Sequence, residues 1–283
     1  MKTTLRALAL ALALCLLLPF SAFAANDTGE QIDYLLMGDS IAEGFGVKNP
    51  EEASYGAIVA ATNGYVYHNI ARFARNTTRQ LQQLEQDAYA RQQVADAEII
   101  SLSIGGNDYF ADPSVVLVAA GLVFNIPTSD YKRLTAQMIE NFALIIDKIR
   151  ELNPDATLLV QTLYSSWYGL LGVGYRRGTN TVNDMIYAYL DEHPGAFELV
   201  DVDSAMTGHK ELIALDTIHP NAQGNIVIAR VVLEKLKALG LGENTEPVVP
   251  AAGIEYNYFE EEYGKVLGPV FTVLVRFFTG YAF

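Results

Sequence analysis

Three short segments place polar residues next to apolar runs, in an arrangement that could support nucleophilic chemistry. In chain order they are Gly38-Asp39-Ser40, Gly105-Gly106-Asn107-Asp108 and Asp216-Thr217-Ile218-His219-Pro220. A serine on a tight turn between a strand and a helix has an exposed hydroxyl, and the backbone N–H groups at the helix start favour developing negative charge. Ser40 is therefore a candidate nucleophile. A helix N-cap is the alternative explanation of a serine here.

The segment that contains His219 supplies a base for such a serine. A carboxylate three residues before an imidazole, on one loop, can accept a hydrogen bond from Nδ1–H and leave Nε2 to take the serine proton. We therefore predict a triad of Ser40, Asp216 and His219. Asn107 follows two glycines and can direct its side-chain NH₂ at an oxyanion beside Ser40, although a plain Gly-Asn turn also explains its segment.

Two other interpretations of these segments fit less well. A metal site needs more ligands than the loop from Asp216 to His219 supplies, and His68, His193 and His209 have no ligand spacing around it. Gly38-x-Ser40-x-Ala42 approaches the nucleophile elbow of α/β-hydrolases, but there the elbow follows several strands and the acid and histidine lie on separate loops. We predict a site that uses neither a metal nor a cofactor.

Together, the three segments resemble the sequence blocks of the GDSL or SGNH hydrolases. The first block matches Gly38-Asp39-Ser40-Ile41, with Ile where Leu is usual, and the third and last blocks match the segments of Asn107 and His219. The resemblance covers roughly Tyr34 to Leu239. It implies a three-layer α/β/α flavodoxin-like fold and a serine esterase without a cofactor. It also implies an oxyanion hole formed by the Ser40 N–H, the Asn107 side chain and a glycine N–H from the second block.

The second block is where the sequence departs from this family. Between Asn69 and Thr78, Ala74 or Arg75 stands where glycine is expected. A backbone N–H survives that change, but a left-handed backbone conformation would be strained without glycine. We assign Arg75 to the oxyanion hole. Its guanidinium could alternatively reach the substrate or form a surface salt bridge.

The elements that would position these residues are short apolar runs alternating with helical patterns. The predicted strands lie near 32–37, 66–69, 99–104, 157–163 and 197–200, and the predicted helices near 55–61, 78–89, 129–152, 179–190 and 222–239. This alternation predicts helices around a parallel sheet, with the site at the carboxyl ends of the strands. The segments 114–126 and 167–178 interrupt the alternation. Residues 25–242 are expected to form one hydrolase domain.

The chain begins with a charged and then apolar segment that predicts a signal peptide over residues 1–24, with a membrane anchor as the alternative. Secretion, or export to the cell envelope, is therefore expected. Removal of Lys2 and Arg6 leaves 17 Lys and Arg against 33 Asp and Glu. That acidic excess argues against nucleic acid or an anionic membrane surface as the main partner.

The expected partner is a small-molecule or lipid ester. Val115–Phe124 is apolar, and Trp167 and Tyr168 follow the fourth predicted strand, so these residues could bind an acyl chain. Ordinary packing of core helices and loops is the alternative for both segments. The aromatic residues also leave a carbohydrate acetylesterase open. An acyltransferase and a non-catalytic lipid- or glycan-binding module are further alternatives.

Residues 243–283 are expected to form a linker and an apolar tail. Within 266–283, apolar residues fall on one helical stripe that would start at Pro269. The stripe is too short to cross a bilayer and contains Arg276. We expect it to cover apolar surface on its own domain, near Val115–Phe124, or on a second copy. A membrane surface is the less favoured alternative, because glutamates precede the stripe.

Overall fold

A computed structural model describes residues 31–256 and 278–281. The predicted signal peptide lies outside these residues. Five described strands form one parallel sheet in the order β2-β1-β3-β4-β5. They are β1 (Asp33–Gly38), β2 (Val66–Asn69), β3 (Ile99–Ser103), β4 (Thr157–Gln161) and β5 (Glu198–Val200). This order is that of flavodoxin-like sheets, so the predicted fold class is confirmed.

The helices lie on both faces of this sheet. In chain order they are α1 (Ser40–Glu43), α2 (Pro50–Ala53), α3 (Tyr55–Asn63), α4 (Thr77–Gln86), α5 (Ala88–Asp96), α6 (Asn107–Phe110), α7 (Val115–Phe124), α8 (Ser129–Leu152), α9 (Gly169–Glu192), α10 (Val202–Met206) and α11 (Ala222–Ala238), with a 3₁₀ turn at Lys210–Leu212. Helix α8 has the predicted bounds. Its start is capped by Thr128, whose side chain accepts a hydrogen bond from Tyr131 N at 3.1 Å.

Two helices differ from their predicted bounds. The helix predicted over 78–89 is divided at Asp87, whose carboxylate caps α5 by accepting from Tyr89 N. Helix α9 begins ten residues before the predicted 179, and the apolar segment 114–126 is helix α7. Two of the glycines in 167–178, Gly174 and Gly178, lie where α7 and α9 touch, and a Cβ at Gly174 would come within 2.7 Å of Val123. Tertiary packing therefore overrides the low helix propensity of glycine.

The core has one part on each face of the sheet. On one face, Leu35 and Met37 of β1 pack with α4, α5, α8 and α9. On the other face, Tyr34 and Leu36 pack with α3 and α11. Side chains of a strand point alternately to opposite faces, so a strand covered by helices on both faces is apolar throughout. β1 is accordingly buried from Tyr34 to Gly38, which makes its carboxyl end a rigid base for the residues that follow.

The chain beyond α11 is held on the domain by hydrogen bonds to the end of α3. Asn63 Oδ1 accepts from Asn244 N at 3.1 Å, and Thr62 Oγ1 accepts from Val248 N at 2.9 Å. Of the predicted apolar tail, only Phe278 to Tyr281 are described, and the helix start at Pro269 lies outside the described residues. In the described part of the chain, none of the helices has the length and apolar character needed to cross a membrane.

Candidate active site

The turn after β1 fixes the position of Ser40. Gly38 has a φ of 130°, and a Cβ there would lie 1.9 Å from the carbonyl oxygen of Ser103, so only glycine fits. Asp39 caps helix α1, because its Oδ1 accepts a hydrogen bond from Ile41 N at 3.0 Å. The N-cap role considered for Ser40 thus belongs to Asp39. Ser40 begins the helix, and its side chain borders a cavity.

The structure brings the three predicted triad residues together in one hydrogen-bonded chain. Ser40 Oγ lies 2.8 Å from Nε2 of His219, and Asp216 Oδ2 is hydrogen-bonded to Nδ1 of the same imidazole. The other oxygen of Asp216 accepts from the backbone N–H groups of Ile218 and His219, each at 3.0 Å. The carboxylate therefore fixes both the ring and its loop. This geometry lets Nε2 accept a proton from Ser40.

The neighbours of Asp216 favour its ionised form despite its burial. Burial acts to raise its pKa, but the nearby His219 and the hydrogen bonds from His219 and the two backbone N–H groups hold the pKa below its usual range. Asp39 behaves differently, since burial raises its pKa to about 7 and the hydrogen bond from Ile41 only partly offsets this. The ring of Phe45 lies 4.8 Å from the His219 ring, which limits the water around the imidazole.

Three groups could donate hydrogen bonds to an oxyanion beside Ser40: the side chain of Asn107 and the backbone N–H groups of Ser40 and Ala74. Asn107 borders the same cavity as Ser40, and its Nδ2 donates one hydrogen bond to the Arg75 carbonyl at 3.1 Å, which leaves a second hydrogen. The backbone N–H groups of Ser40 and Ala74 have no acceptor among the described residues. Ala74, one of the two positions where the resemblance leads us to expect glycine, adopts a left-handed conformation with a φ of 55°.

The structure does not bring Arg75 to the cavity. Its N–H donates to the Arg72 carbonyl at 3.2 Å, and its guanidinium donates to the Ile70 carbonyl and to Gln83 Oε1. Burial lowers the pKa of this guanidinium. The hydrogen bonds that Arg75 donates thus go to the second block and to α4, where they hold the loop that carries Ala74.

A buried network that was not predicted joins the second and third blocks. Asp108 accepts from the backbone N–H of Thr77 at 3.1 Å and from its hydroxyl at 2.5 Å, while Asn141 donates to the same hydroxyl at 3.1 Å. Burial raises the pKa of Asp108 to about 6, and the bonds from Thr77 oppose that rise. The network joins the start of α4, shortly after Ala74, to the residue that follows Asn107. Only the Asp after Asn107 and the threonines after Asn76 hinted at it in the sequence.

A cavity of about 130 Å³ opens beside Ser40. One side, the catalytic wall, consists of Asp39, Ser40 and Asn107. Another part of the lining, the apolar wall, comes mainly from α7 and α9 and consists of Val118, Leu122, Trp167, Leu171 and Tyr175. Arg177 of α9 donates to the carbonyl oxygens of Leu122 and Val123 at 2.6 and 2.9 Å, and so fixes the end of α7 over the cavity.

Of the two aromatic residues predicted to bind substrate, only Trp167 borders the cavity. Its ring lies 4.9 Å from the ring of Tyr175. Tyr168 points elsewhere, with Lys210 Nζ 4.2 Å from its ring centre and the ring of Tyr281 at 5.7 Å. Among residues 31–256 and 278–281, no three His, Cys, Asp or Glu side chains cluster in a way that could hold a metal ion.

Comparison with known proteins agrees with this architecture. The model of the GDSL-like Lipase/Acylhydrolase family matches residues 36–226, which is more than half of the chain. The chain therefore belongs to this family, as the sequence blocks predicted, and it is an ester-hydrolysing enzyme. The matched range contains Ser40, Asn107, Asp216 and His219.

The individual proteins that resemble the chain share less than a quarter of their aligned residues with it. YpmR, an uncharacterized protein of Bacillus subtilis strain 168, is 23% identical over 229 residues, covering 76% of this chain and 85% of YpmR. The lipase Lip_vut3 from a goat rumen metagenome aligns with a TM-score of 0.60 at 18% identity, over 75% of this chain and 99% of the lipase. Phospholipase A1 of Streptomyces albidoflavus NA297 aligns with a TM-score of 0.57 at 19% identity, over 74% and 99%. The acetylxylan esterase Axe2 of Geobacillus stearothermophilus has a TM-score of 0.53 at 15% identity, over 72% and 94%. These structures share the fold.

Proposed function

We propose that the chain hydrolyses carboxylic esters of apolar acyl groups through an acyl-enzyme on Ser40. The observation that carries this proposal is the hydrogen-bonded chain from Ser40 Oγ through the His219 imidazole to the Asp216 carboxylate. In the proposed reaction, Ser40 Oγ attacks the acyl carbon while His219 Nε2 takes its proton. The ester C–O bond then breaks, and His219 gives that proton to the leaving alcohol.

The second half of the reaction returns the enzyme to its starting state. A water molecule attacks the acyl carbon bound to Ser40 and transfers a proton to His219 Nε2. The acyl–Ser40 bond breaks, His219 returns the proton to Ser40 Oγ, and a carboxylic acid leaves. Ionised Asp216 stabilises the imidazolium formed in each half.

The negative charge on the acyl oxygen needs donors beside Ser40. We assign this role to the N–H groups of Ser40 and Ala74 and to the second Nδ2 hydrogen of Asn107. The first two have no acceptor among the described residues, and Asn107 borders the cavity. Donors that point at developing charge without prior reorganisation typically contribute about 3 kcal/mol each.

The cavity supports an acyl group as the part of the substrate that is recognised. Its volume of about 130 Å³ is close to that of an engineered apolar cavity of about 150 Å³ that binds benzene. The apolar wall offers aliphatic and aromatic carbon, which suits a hydrocarbon chain better than a sugar. The lipase and the phospholipase that share the fold are consistent with such a substrate, whereas the acetylxylan esterase acts on a short acyl group.

We also propose that the chain is exported. This proposal is supported by the charged start, the apolar run to Phe20 and the small residues before position 25. Mass spectrometry of protein secreted by the native host would identify the first residue of the mature chain. An intact Met1 in the exported fraction would contradict cleavage after residue 24.

The experiment that tests the catalytic proposal compares Ser40→Ala with Ser129→Ala, whose serine is exposed at the start of α8. Ser40→Ala should lose labelling by a fluorophosphonate probe and at least about 10³-fold of its turnover of p-nitrophenyl esters, while Ser129→Ala behaves as wild type. Wild-type turnover by Ser40→Ala would refute the mechanism.

The wild-type enzyme also tests the alternative functions. A preference for acetate over octanoate esters would favour an acetylesterase, and ester products formed with added alcohols would indicate an acyltransferase.

A further inference from the structure

Tyr256 lies against the loop that carries His219. Its hydroxyl donates a hydrogen bond to the carbonyl oxygen of Pro220 and accepts one from Asn225 Nδ2 at 2.7 Å. Asn225 is itself fixed, since its Oδ1 accepts from Tyr55 N at 3.0 Å. Burial raises the pKa of Tyr256 well above its usual range, so the phenol keeps its proton and remains a donor. Tyr256 thus fixes the peptide group between Pro220 and Asn221, which is the second one after His219.

The segment of Glu255 and Tyr256 also holds the loop of residues 45–48, which packs on the His219 ring. Tyr256 forms an antiparallel bridge with Val47, and the Glu255 carbonyl accepts from Lys48 N at 2.8 Å. Phe45, whose ring packs on the His219 ring, is two residues before Val47. The segment of Glu255 and Tyr256 therefore restrains the imidazole through the chain that follows it and through the ring that packs on it.

Tyr281 makes a comparable contact at the other end of the cavity. It is 7% exposed, and its hydroxyl donates to the carbonyl oxygen of Ser166 at 2.6 Å. The Thr279 carbonyl accepts from Tyr168 N at 2.8 Å. These two bonds hold the backbone on both sides of Trp167, whose ring belongs to the apolar wall. Described contacts of the tail thus lie at the Trp167 loop, whereas the sequence suggested the Val115–Phe124 region.

We propose that Tyr256 and Tyr281 are positioning residues of the ester hydrolase, the first for His219 and the second for Trp167. Both lie beyond residue 226, where the family match ends. The part of the chain beyond residue 226 would therefore influence the reaction rate through Tyr256 and the acyl preference through Tyr281. The inference rests on the catalytic role proposed for Ser40 and His219.

The test uses the full-length chain with Tyr256→Phe and Tyr281→Phe, which keep the rings and remove the hydroxyl groups. Tyr89→Phe is the matched control, because Tyr89 is 63% exposed. The readouts are kcat and KM for p-nitrophenyl acetate and octanoate, the rate of fluorophosphonate labelling, and the thermal midpoint. The octanoate-to-acetate ratio of kcat/KM separates an effect on the acyl wall from an effect on the triad.

The two variants should differ in kind. For Tyr256→Phe we expect kcat on both esters and the labelling rate to fall about tenfold, with KM changed less than twofold, because a displaced imidazole slows proton transfer from Ser40. For Tyr281→Phe we expect the octanoate-to-acetate ratio to fall about fivefold, because lost interactions along a hydrocarbon chain are worth about that much. Tyr89→Phe should match wild type.

Other results would overturn the proposal. If both variants changed all readouts in proportion to the thermal midpoint, the two tyrosines would have only a structural role. If both behaved like Tyr89→Phe while Ser40→Ala was inactive, the inference would fail and the catalytic proposal would stand. If Ser40→Ala kept wild-type turnover, the catalytic proposal itself would fail.

Discussion

The two walls of the cavity are held in place by different interactions. The residues of the catalytic wall, Asp39, Ser40 and Asn107, lie within four residues of the end of a buried strand, and hydrogen bonds fix the two backbone segments that carry them. The apolar wall comes mainly from α7 and α9, which contact through glycines and aliphatic side chains. Hydrogen bonds are directional, whereas apolar packing tolerates changes of shape when volume is kept. Changes to the catalytic wall should therefore alter the rate, and changes to the apolar wall the acyl preference.

Asp216→Asn should lower the reaction rate more than any change to the apolar wall, since Asp216 acts on the catalytic wall through His219. An amide can offer its NH₂ to Nδ1 and so favour the tautomer in which Nε2 carries the proton, which cannot accept the serine proton. We expect kcat on short and long esters to fall about 10³- to 10⁴-fold alike. Asp191→Asn, at an exposed position of α9, is the control. An unchanged rate would remove Asp216 from the triad.

Leu122→Trp should alter the apolar wall with less effect on the rate. The larger ring would fill part of the cavity, so kcat/KM for octanoate should fall about tenfold relative to acetate, in line with the loss of one or two methylene contacts. Leu117→Trp is a matched control on the same helix, because Leu117 is 60% exposed. Equal loss on both esters would show that the two walls do not act separately.

The same division explains what could be predicted from the sequence. The bounds of α8 and the triad follow from local patterns: apolar periodicity, an N-cap and short blocks at strand ends. The start of α9, the contacts of Tyr168 and the bonds of Tyr256 and Tyr281 depend on partners far along the chain. For Arg75, the pattern predicted a donor in the second block but could not show which N–H lacks an acceptor among the described residues. That depends on the turn bond from Arg75 N to the Arg72 carbonyl.

Asp39→Asn should show that the catalytic wall limits stability at neutral pH. Burial raises the pKa of Asp39 from 3.8 to about 7, so between these values the folded chain holds a proton that the unfolded chain has lost. The resulting stability is fully present below pH 3.8 and is lost as the pH rises through 7. Asn keeps the cap for Ile41 N and does not ionise. Two pH units of this proton difference correspond to about 3 kcal/mol, so the thermal midpoint of Asp39→Asn relative to wild type should rise by about 5–10 °C between pH 5 and pH 8. A constant difference across this range would contradict the prediction.

Ala74→Gly should have the smallest effect and test whether the second block stores strain. Ala74 has a φ of 55°, and a left-handed conformation costs a residue with a Cβ about 1–2 kcal/mol. Glycine removes that cost but loses more backbone entropy on folding, by about 0.5–1 kcal/mol, so the net gain in unfolding free energy should be about 0.5–1 kcal/mol. Gly64→Ala is the reverse control, since Gly64 has a φ of 73° and none of the atoms in the described part of the chain lies within 4 Å of a Cβ placed there. It should lose about the amount that Ala74→Gly gains, as measured by urea unfolding. If Ala74→Gly instead lowers stability while Gly64→Ala does so too, the strain at Ala74 is offset by its bonded neighbours, and the catalytic wall is more relaxed than its backbone angles indicate.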